Sequence, residues 1–414
     1  MRPNNENNVR SGGHTAWVVF QKNTSAMENI SRKVLPLDRT YRKESDRVRN
    51  VVYRPFTIEP MQNMFSFNLI KNTVSSTVVV SPVPQRNNSI DIARGICMFL
   101  VMLYHSECYF PTSIHIQPFF APFFLTTFFF ITGRYIVKET APLSFLRKLK
   151  RIFATLVWPY LIFTTLIWLP KAFAHGNDVT IKSMLYDVLG GTASWFVAAL
   201  IVCEILFYIF YKLFRNEYIL LICGLSLLIL GTYLKRVDPA PSFWYYKEAF
   251  VNLIFVCLGY IWSLHYNVIQ KTLSGKYSLL AFTSLYIALF AIFRYTPVSE
   301  YDGIMIDSFK SLVLSGSGIV FILKLSEFIR NQPVLEYIGR NSILYYFLNG
   351  GVILILSKIL NKINIPHYYV IDFLIAVIAT AVITVLVWII NRYLPFFKRF
   401  PWENNRSLHF AKKG

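Results

Sequence analysis

The sequence predicts an all-α fold, a polytopic transmembrane helix bundle of about ten helices. Of its 414 residues, 54% are hydrophobic and only 15% are charged, whereas soluble domains average about 25% charged residues. The apolar residues fall in runs of roughly 17–23 residues, the length that a hydrocarbon core of about 30 Å demands. We therefore expect a multi-pass membrane protein.

Three regions differ in composition. Residues 1–86 are polar and hold 13 Lys and Arg against 6 Asp and Glu, which predicts a disordered basic N-terminal tail. Met61 and Met64 are alternative starts, and the sequence leaves open whether the residues before them are translated. Residues 87–393 are predicted to form the membrane domain, and residues 394–414 a basic cytoplasmic C-terminal tail.

Apolar runs predict ten spans in order along the membrane domain. They cover residues 90–110, 117–137, 152–173, 195–214, 217–234, 248–266, 277–293, 308–325, 342–360 and 369–391. The span at 308–325 contains Lys310 and the small residues 315–318, and small residues favour close helix packing.

Loop charge predicts that both termini lie on the cytoplasmic side. The loop 138–151 holds five basic residues, whereas 111–116 holds none and 174–194 holds one. Positive loops are retained in the cytoplasm, so these loops alternate as expected. The loop 294–307 has three acidic residues against one basic residue and fits the outside. One predicted outer loop does not fit this orientation, because it holds three basic residues: Lys235, Arg236 and Lys247.

The net charge of +20 does not indicate a nucleic-acid partner. The charge is scattered over tails and short loops, and no motif that reads RNA or DNA accompanies it. The five cysteines all fall within apolar spans without metal-ligand spacing. The sequence therefore predicts neither a disulfide framework nor a metal site.

Ionisable residues within membrane spans are costly and are therefore functional candidates. The densest set lies in the first span, where Arg94 and His105 are eleven residues apart. Eleven residues make three helical turns plus about 20°, so the two side chains share one face and lie about 16 Å apart along the axis. Glu107 lies about 200° round from His105 and is expected to face elsewhere. Spacing alone also fits a structural role, with Arg94 at the headgroups and His105 paired with a neighbouring helix.

Five short motifs follow one another along the membrane domain. They are Asp91 with Arg94-Gly95 and His105, then Phe128–Gly133, then Phe145–Arg151 with Trp158-Pro159-Tyr160, then Trp195–Leu200, and last Tyr337–Ser342. Each motif is weak alone, but five in order resemble the acyltransferase 3 family. That family comprises membrane-bound sugar O-acyltransferases, including fucose 4-O-acetylase-like proteins. The resemblance covers about residues 87–392.

The chain departs from the family pattern at several positions. The basic stretch has four cations in place of the family's Arg-x-x-Arg: Arg147, Lys148, Lys150 and Arg151. Lysine keeps the charge but lacks the planar fork that binds phosphate in a bidentate manner. Thr132 replaces the usual Ser, and Asn349 stands where many members have a His.

The resemblance implies transfer of an acyl group, with acetyl favoured, from acyl-coenzyme A to a hydroxyl of a cell-surface polysaccharide or lipid-linked glycan. His105 is expected to be the base that accepts the hydroxyl proton. Arg94 is expected to bind the donor or stabilise oxyanion charge. The cations of residues 147–151 are expected to dock the phosphates of coenzyme A. Asp91 and Glu204 are predicted supporting residues, and Glu204 fits a pairing with His105, a substrate hydroxyl or a purely structural partner equally well.

The expected partners are therefore the acyl-coenzyme A donor, a glycan acceptor and membrane lipid, with no bound cofactor. The resemblance places the chain in the cell membrane, which is the inner membrane in a Gram-negative bacterium. The alternative is a transporter or flippase for a lipid-linked or small anionic substrate, since polar intramembrane residues serve it equally well. Transporters commonly have broken helices and repeat symmetry, which are not visible in the sequence.

Topology reporters test the orientation. Reporters fused after Arg151 and at the C-terminus are expected to show a cytoplasmic location, and a reporter near Asp178 an external one, because the basic loop 138–151 is retained inside. Activity of paired phosphatase and fluorescent-protein fusions measures the side directly. An external location at Arg151 would reverse the predicted orientation.

Overall fold

The computed structural model describes residues 88–110, 114–136, 144–175, 180–295, 303–363, 366 and 368–400. The predicted N-terminal tail and residues 401–414 of the predicted C-terminal tail lie outside the described residues. The described chain consists of helices and their connections and contains no strand, which confirms the all-α class.

Sixteen α-helices follow one another among the described residues. They are α1 (Asn88–Tyr109), α2 (Gln117–Phe124), α3 (Thr126–Tyr135), α4 (Phe145–Ile152), α5 (Trp158–His175), α6 (Ile181–Gly190), α7 (Trp195–Phe214), α8 (Glu217–Val237), α9 (Tyr246–Leu264), α10 (Tyr266–Leu273), α11 (Ser278–Tyr295), α12 (Gly303–Ile329), α13 (Pro333–Arg340), α14 (Ser342–Lys362), α15 (Tyr369–Tyr393) and α16 (Pro395–Lys398). A π-helical turn, Phe153–Val157, joins α4 to α5, and a 3₁₀ turn, Phe243–Tyr245, precedes α9.

Eight stretches of the described chain are long and apolar enough to cross a membrane. The number rises to nine if α10 and α11, which meet at a bend of 88°, form one broken span. The polytopic bundle is confirmed, although the predicted count of about ten is one or two higher. The main difference lies at 117–137, where two short helices, α2 and α3, replace one predicted span.

The junction between α2 and α3 at Leu125 follows Pro122 by three residues and is stabilised by hydroxyl groups. Pro122 lies within α2 and lacks the backbone N–H that would bond to the Pro118 carbonyl. Thr126 Oγ1 donates to the Pro122 carbonyl at 3.0 Å, and Thr127 Oγ1 donates to the Phe123 carbonyl at 2.7 Å. Ser315 Oγ on α12 also donates to the Pro122 carbonyl, at 2.5 Å. Backbone carbonyls at the break are thus hydrogen-bonded within the protein, as a membrane interior requires.

The first helix, α1, touches the short helix α13 backbone to backbone. A Cβ atom added to Gly95 would overlap the carbonyl of Leu335, and one added to Gly339 would overlap the carbonyl of Asp91. Glycines permit this approach because they carry no side chain, and close contact maximises van der Waals attraction where lipid supplies no hydrophobic drive. The crossing fixes α1 against the Tyr337–Ser342 motif.

The connection between α8 and α9 is the predicted outer loop that did not fit the positive-inside rule. Local ion pairs account for much of its basic charge. The Lys247 side chain is only 4% exposed, and its Nζ donates to the Asp238 carboxylate at 2.6 Å. Nζ also donates to the carbonyls of Asp238 and Ala240. The hydrogen bond from Lys247 lowers the pKa of Asp238 from its ordinary value. Lys235 lies 3.6 Å from Glu248, so two of the three basic residues have local acidic partners.

The outer helices present apolar side chains outward. On α8 and α15 the exposed large side chains include Ile222, Ile229, Leu230, Val377, Ile378, Val385 and Trp388. Charged side chains would be costly on such faces within a hydrocarbon core. These faces therefore suit contact with lipid.

Replacing Gly339 with Ala is expected to destabilise the α1–α13 crossing, because the added methyl group overlaps the Asp91 carbonyl. Overpacking of this kind typically costs about 1–3 kcal/mol. The matched control is Gly350→Ala on α14, since a Cβ there meets nothing within 4 Å. Thermal unfolding of both purified variants measures the difference. Equal midpoints would contradict the proposed close contact.

Candidate active site

Arg94 and His105 lie on one uninterrupted helix, α1, and both side chains are half-buried. The Arg94 guanidinium carbon lies 5.5 Å from the centroid of the Tyr135 ring at the end of α3. The His105 ring lies between two rings of its own helix, edge-on to Tyr104 at 5.6 Å and stacked on Tyr109 at 6.0 Å. The helix therefore holds Arg94 and His105 at two separate levels along its axis.

Asp91 organises the level of Arg94. Its carboxylate is only 4% exposed and lies between two guanidinium groups, 3.9 Å from Arg94 Nη1 and 3.3 Å from Arg340 Nε. Arg340 in turn contacts the Glu336 carboxylate through Nη2 at 2.6 Å. A buried carboxylate requires such partners because leaving water is unfavourable for a charge. Asp91 thus positions Arg94 and joins the first motif to the last one.

Polar groups without a predicted catalytic role lie at the level of His105, and one of them, Asp372, fits an interhelical hydrogen bond. Ser106 Oγ donates to the Asp372 carboxylate on α15 at 2.9 Å, and both residues are buried. Glu107 Oε2 accepts from the Gln117 backbone N–H at 3.2 Å and lies 3.9 Å from His115 Nδ1. The other oxygen of Glu107 is buried and has no hydrogen-bond partner among the described residues. Glu107 and Asp372 are acidic residues within membrane spans. Such residues are rare there, and this rarity is the feature of the sequence that could have identified them as functional candidates.

The basic helix α4 divides into one buried cation and three exposed ones. Lys148 Nζ lies 3.0 Å from Glu204 Oε2 on α7, with the two side chains 10% and 14% exposed. The structure therefore pairs Glu204 with Lys148, which is the structural role among the predicted alternatives. The remaining cations point outward: Arg147, Lys150 and Arg151.

The segment after α15 packs on the start of α5. The Phe400 backbone N–H donates to the Ala154 carbonyl within the π-helical turn at 3.1 Å, and Trp158 Nε1 donates to the Phe396 carbonyl at 2.8 Å. Lys398 Nζ donates to Asn341 Oδ1 at 2.7 Å. Residues 394–400, predicted as part of a tail, therefore connect α5 to the Tyr337–Ser342 motif.

An aromatic cluster lies between the levels of Arg94 and His105. Phe196, near the start of α7, packs against Phe128 at 5.7 Å and Tyr346 at 5.0 Å. Phe128 precedes Tyr135 by seven residues on α3, which is about 10 Å along the helix axis. Since Tyr135 is level with Arg94, the cluster lies part of the way along the roughly 16 Å to His105. Two of the five sequence motifs, Phe128–Gly133 and Trp195–Leu200, thus contact each other at this depth.

No group of three or more His, Cys, Asp or Glu side chains suited to a metal ion occurs in the described ranges. The ionisable groups described above on and against α1 include an imidazole, guanidinium groups and carboxylates.

A family model described as an acyltransferase domain, acyltransferase 3, matches residues 87–392, well over half of the chain. The match covers α1 to α15 nearly completely and includes all five motifs. No curated protein and no solved structure shows a significant match.

Breaking the Lys148–Glu204 pair is expected to destabilise the bundle. Lys148→Ala leaves a buried carboxylate without its partner, and losing one member of a buried pair typically costs about 3–5 kcal/mol. The double variant Lys148→Met with Glu204→Met should recover much of the loss, because it removes both charges. Thermal unfolding in detergent measures these effects, with exposed Lys150→Ala as the control. A Lys148→Ala variant as stable as Lys150→Ala would contradict the buried pairing.

Proposed function

This chain belongs to the acyltransferase 3 family, and on that premise we propose that it transfers an acetyl group from acetyl-coenzyme A to a sugar hydroxyl. The proposed acceptor is a cell-surface polysaccharide or a lipid-linked glycan at the cell membrane. Family membership supports acyl transfer in general. The donor, the acceptor class and the acetyl group are the finer parts of the proposal.

The arrangement of α1 is the observation that carries the proposal. One face of this helix presents a guanidinium at one level and an imidazole about three turns away, and neither lies in the apolar core. Coenzyme A carries its phosphates at one end and its thioester at the other end of a flexible arm. If the donor lies along α1, its phosphates would therefore contact the guanidinium of Arg94 and its thioester would lie near the imidazole of His105.

His105 is the proposed general base. A neutral imidazole nitrogen accepts the proton of the sugar hydroxyl while the hydroxyl oxygen attacks the thioester carbonyl carbon. The new carbon–oxygen bond forms, the carbon–sulfur bond then breaks, and the proton passes from the imidazolium to the departing thiolate. The products are the sugar ester and free coenzyme A, so the step needs no further reactant.

The length of α1 favours one of the two roles expected for Arg94. A group that stabilises an oxyanion must lie within about 3 Å of that oxygen. His105 lies about 16 Å from Arg94 along the helix axis, so the two residues do not act on the same carbonyl group. Arg94 is therefore proposed to bind donor phosphate, and Asp91 to hold Arg94 in position.

The structure contains one feature of transporters, namely broken helices. α2 and α3 meet at a break, and α10 and α11 meet at 88°. Transporters use such breaks to expose backbone groups to a substrate. At the α2–α3 break, however, Thr126, Thr127 and Ser315 hydrogen-bond to the neighbouring carbonyls. This arrangement favours a structural break and leaves transport as the second candidate.

His105→Ala is expected to abolish acyl transfer while the protein still inserts and folds. Loss of a positioned base lowers rates by roughly 10²–10⁴-fold. Arg94→Lys should retain part of the activity, because charge is kept while the bidentate fork is lost. Release of free coenzyme A from acetyl-coenzyme A by purified protein, with and without a glycan acceptor, measures the reaction.

The matched control is His265→Ala, since His265 is exposed and pairs with Glu217 at the end of α9. Its activity should stay near wild type. A fully active His105→Ala protein would rule out this base. A wild-type protein that moves a labelled substrate across a vesicle membrane and leaves the thioester intact would favour transport.

A further inference from the structure

Arg134, next to Tyr135 at the end of α3, is a cation with an aromatic partner and no acidic one among the described residues. Its guanidinium carbon lies 4.8 Å from the centroid of the Tyr266 ring, and the side chain is half-buried. Within the described ranges its guanidinium makes no hydrogen bond and no ion pair. Arginine stays charged in proteins and carries five N–H donors.

The three fully buried cations of the described chain all contact carboxylates, whereas Arg134 is half-buried. Lys148 pairs with Glu204, Lys247 with Asp238, and Lys324 with Glu327. These pairs show how the fold treats a cation that has only a structural role. Stacking on a ring orients a guanidinium and leaves its edge donors available. Arg134 is therefore oriented by the Tyr266 ring, and no described group is recorded as accepting from its edge donors.

The position of Arg134 is fixed by a second backbone contact. A Cβ atom on Gly133 would overlap the Val256 carbonyl, and one on Gly259 would overlap the Phe130 carbonyl. These contacts press α3 against α9, and Tyr266 begins the helix that follows α9 directly. The cation and its platform are thus both anchored to one crossing, which gives the preorganisation that a binding site needs.

We propose that Arg134, supported by the Tyr266 ring, is a phosphate-binding residue of this protein. Arg94 lies on the ring of the adjacent residue, Tyr135, so two guanidinium groups stack on rings at the same end of α3. Guanidinium groups bind phosphate through two parallel charge-assisted hydrogen bonds. The inference deepens the proposed function: the phosphate is that of the coenzyme A donor. A lipid headgroup presents the same chemistry, and the experiment separates these two sources.

A purely structural role for Arg134 would come from the helix dipole, since the residue lies in the last turn of α3. A cation at a helix C-terminus is stabilising whether it is Lys or Arg. Bidentate phosphate binding, in contrast, requires the planar fork of Arg. Arg134→Lys therefore distinguishes the two roles.

The test uses the purified full chain in nanodiscs of zwitterionic lipid and measures equilibrium binding of coenzyme A. Arg134→Ala is expected to weaken binding by about 10–100-fold, the range for losing charge-assisted hydrogen bonds. Arg134→Lys should show an intermediate loss, and Tyr266→Leu, which keeps the charge, a smaller one. Lys276→Ala is the control, because its Nζ lies 5.6 Å from the exposed Tyr277 ring and it should bind like wild type.

The second arm repeats the thermal unfolding of each variant while phosphatidylglycerol is titrated into the nanodiscs. If Arg134→Ala keeps wild-type coenzyme A affinity but loses the stabilisation by phosphatidylglycerol, the phosphate is a lipid's. If Arg134→Ala matches wild type both in coenzyme A affinity and in stabilisation by phosphatidylglycerol, Arg134 binds no phosphate. The same conclusion follows if Arg134→Lys matches wild type in both measurements while Arg134→Ala does not. A wild-type chain that binds no coenzyme A contradicts the proposed function, and the lipid arm then still tests Arg134.

Discussion

The backbone contact between α1 and α13 is the constraint on which the candidate site depends. Gly95 and Gly339 allow each helix to touch a carbonyl of the other, and Asp91 joins them through Arg340. In a membrane such contacts replace the hydrophobic drive that assembles soluble helices. Because α1 carries both Arg94 and His105, fixing this one helix sets the level of a cation and of a base together. The three-turn separation then follows from helix geometry alone.

Charge within the bundle is accommodated in two ways. Fully buried cations are paired with carboxylates, as at Lys148 and Lys247, because an unpaired charge in a low-dielectric interior is unfavourable. Arg134 is half-buried and stacks on Tyr266 instead. It adjoins Tyr135, whose ring lies against the Arg94 guanidinium, and the proposed site for the donor's phosphates is at that end of α3.

Helix positions were predictable wherever an apolar run was long and uninterrupted. α7 begins and ends at the predicted residues, Trp195 and Phe214, and α14 and α15 begin at the predicted Ser342 and Tyr369. The run at 117–137 was predicted as one span because hydropathy averages over residues and does not register the junction at Leu125 that separates α2 from α3. α13 was recognised only as a motif, since eight residues are too few for a span.

The sequence by itself determined the class of fold, the family and the shared face of Arg94 and His105, because composition and helical periodicity are local properties. Only the tertiary structure decided which charges neutralise one another. Glu204 was expected to pair with His105, a substrate hydroxyl or a structural partner, and the packing of α4 against α7 places Lys148 beside it. Arg134 was not distinguished in the sequence, because a cation after a span is ordinary there. Its unusual state depends on which side chains other helices bring near it, and that is a property of the packed bundle.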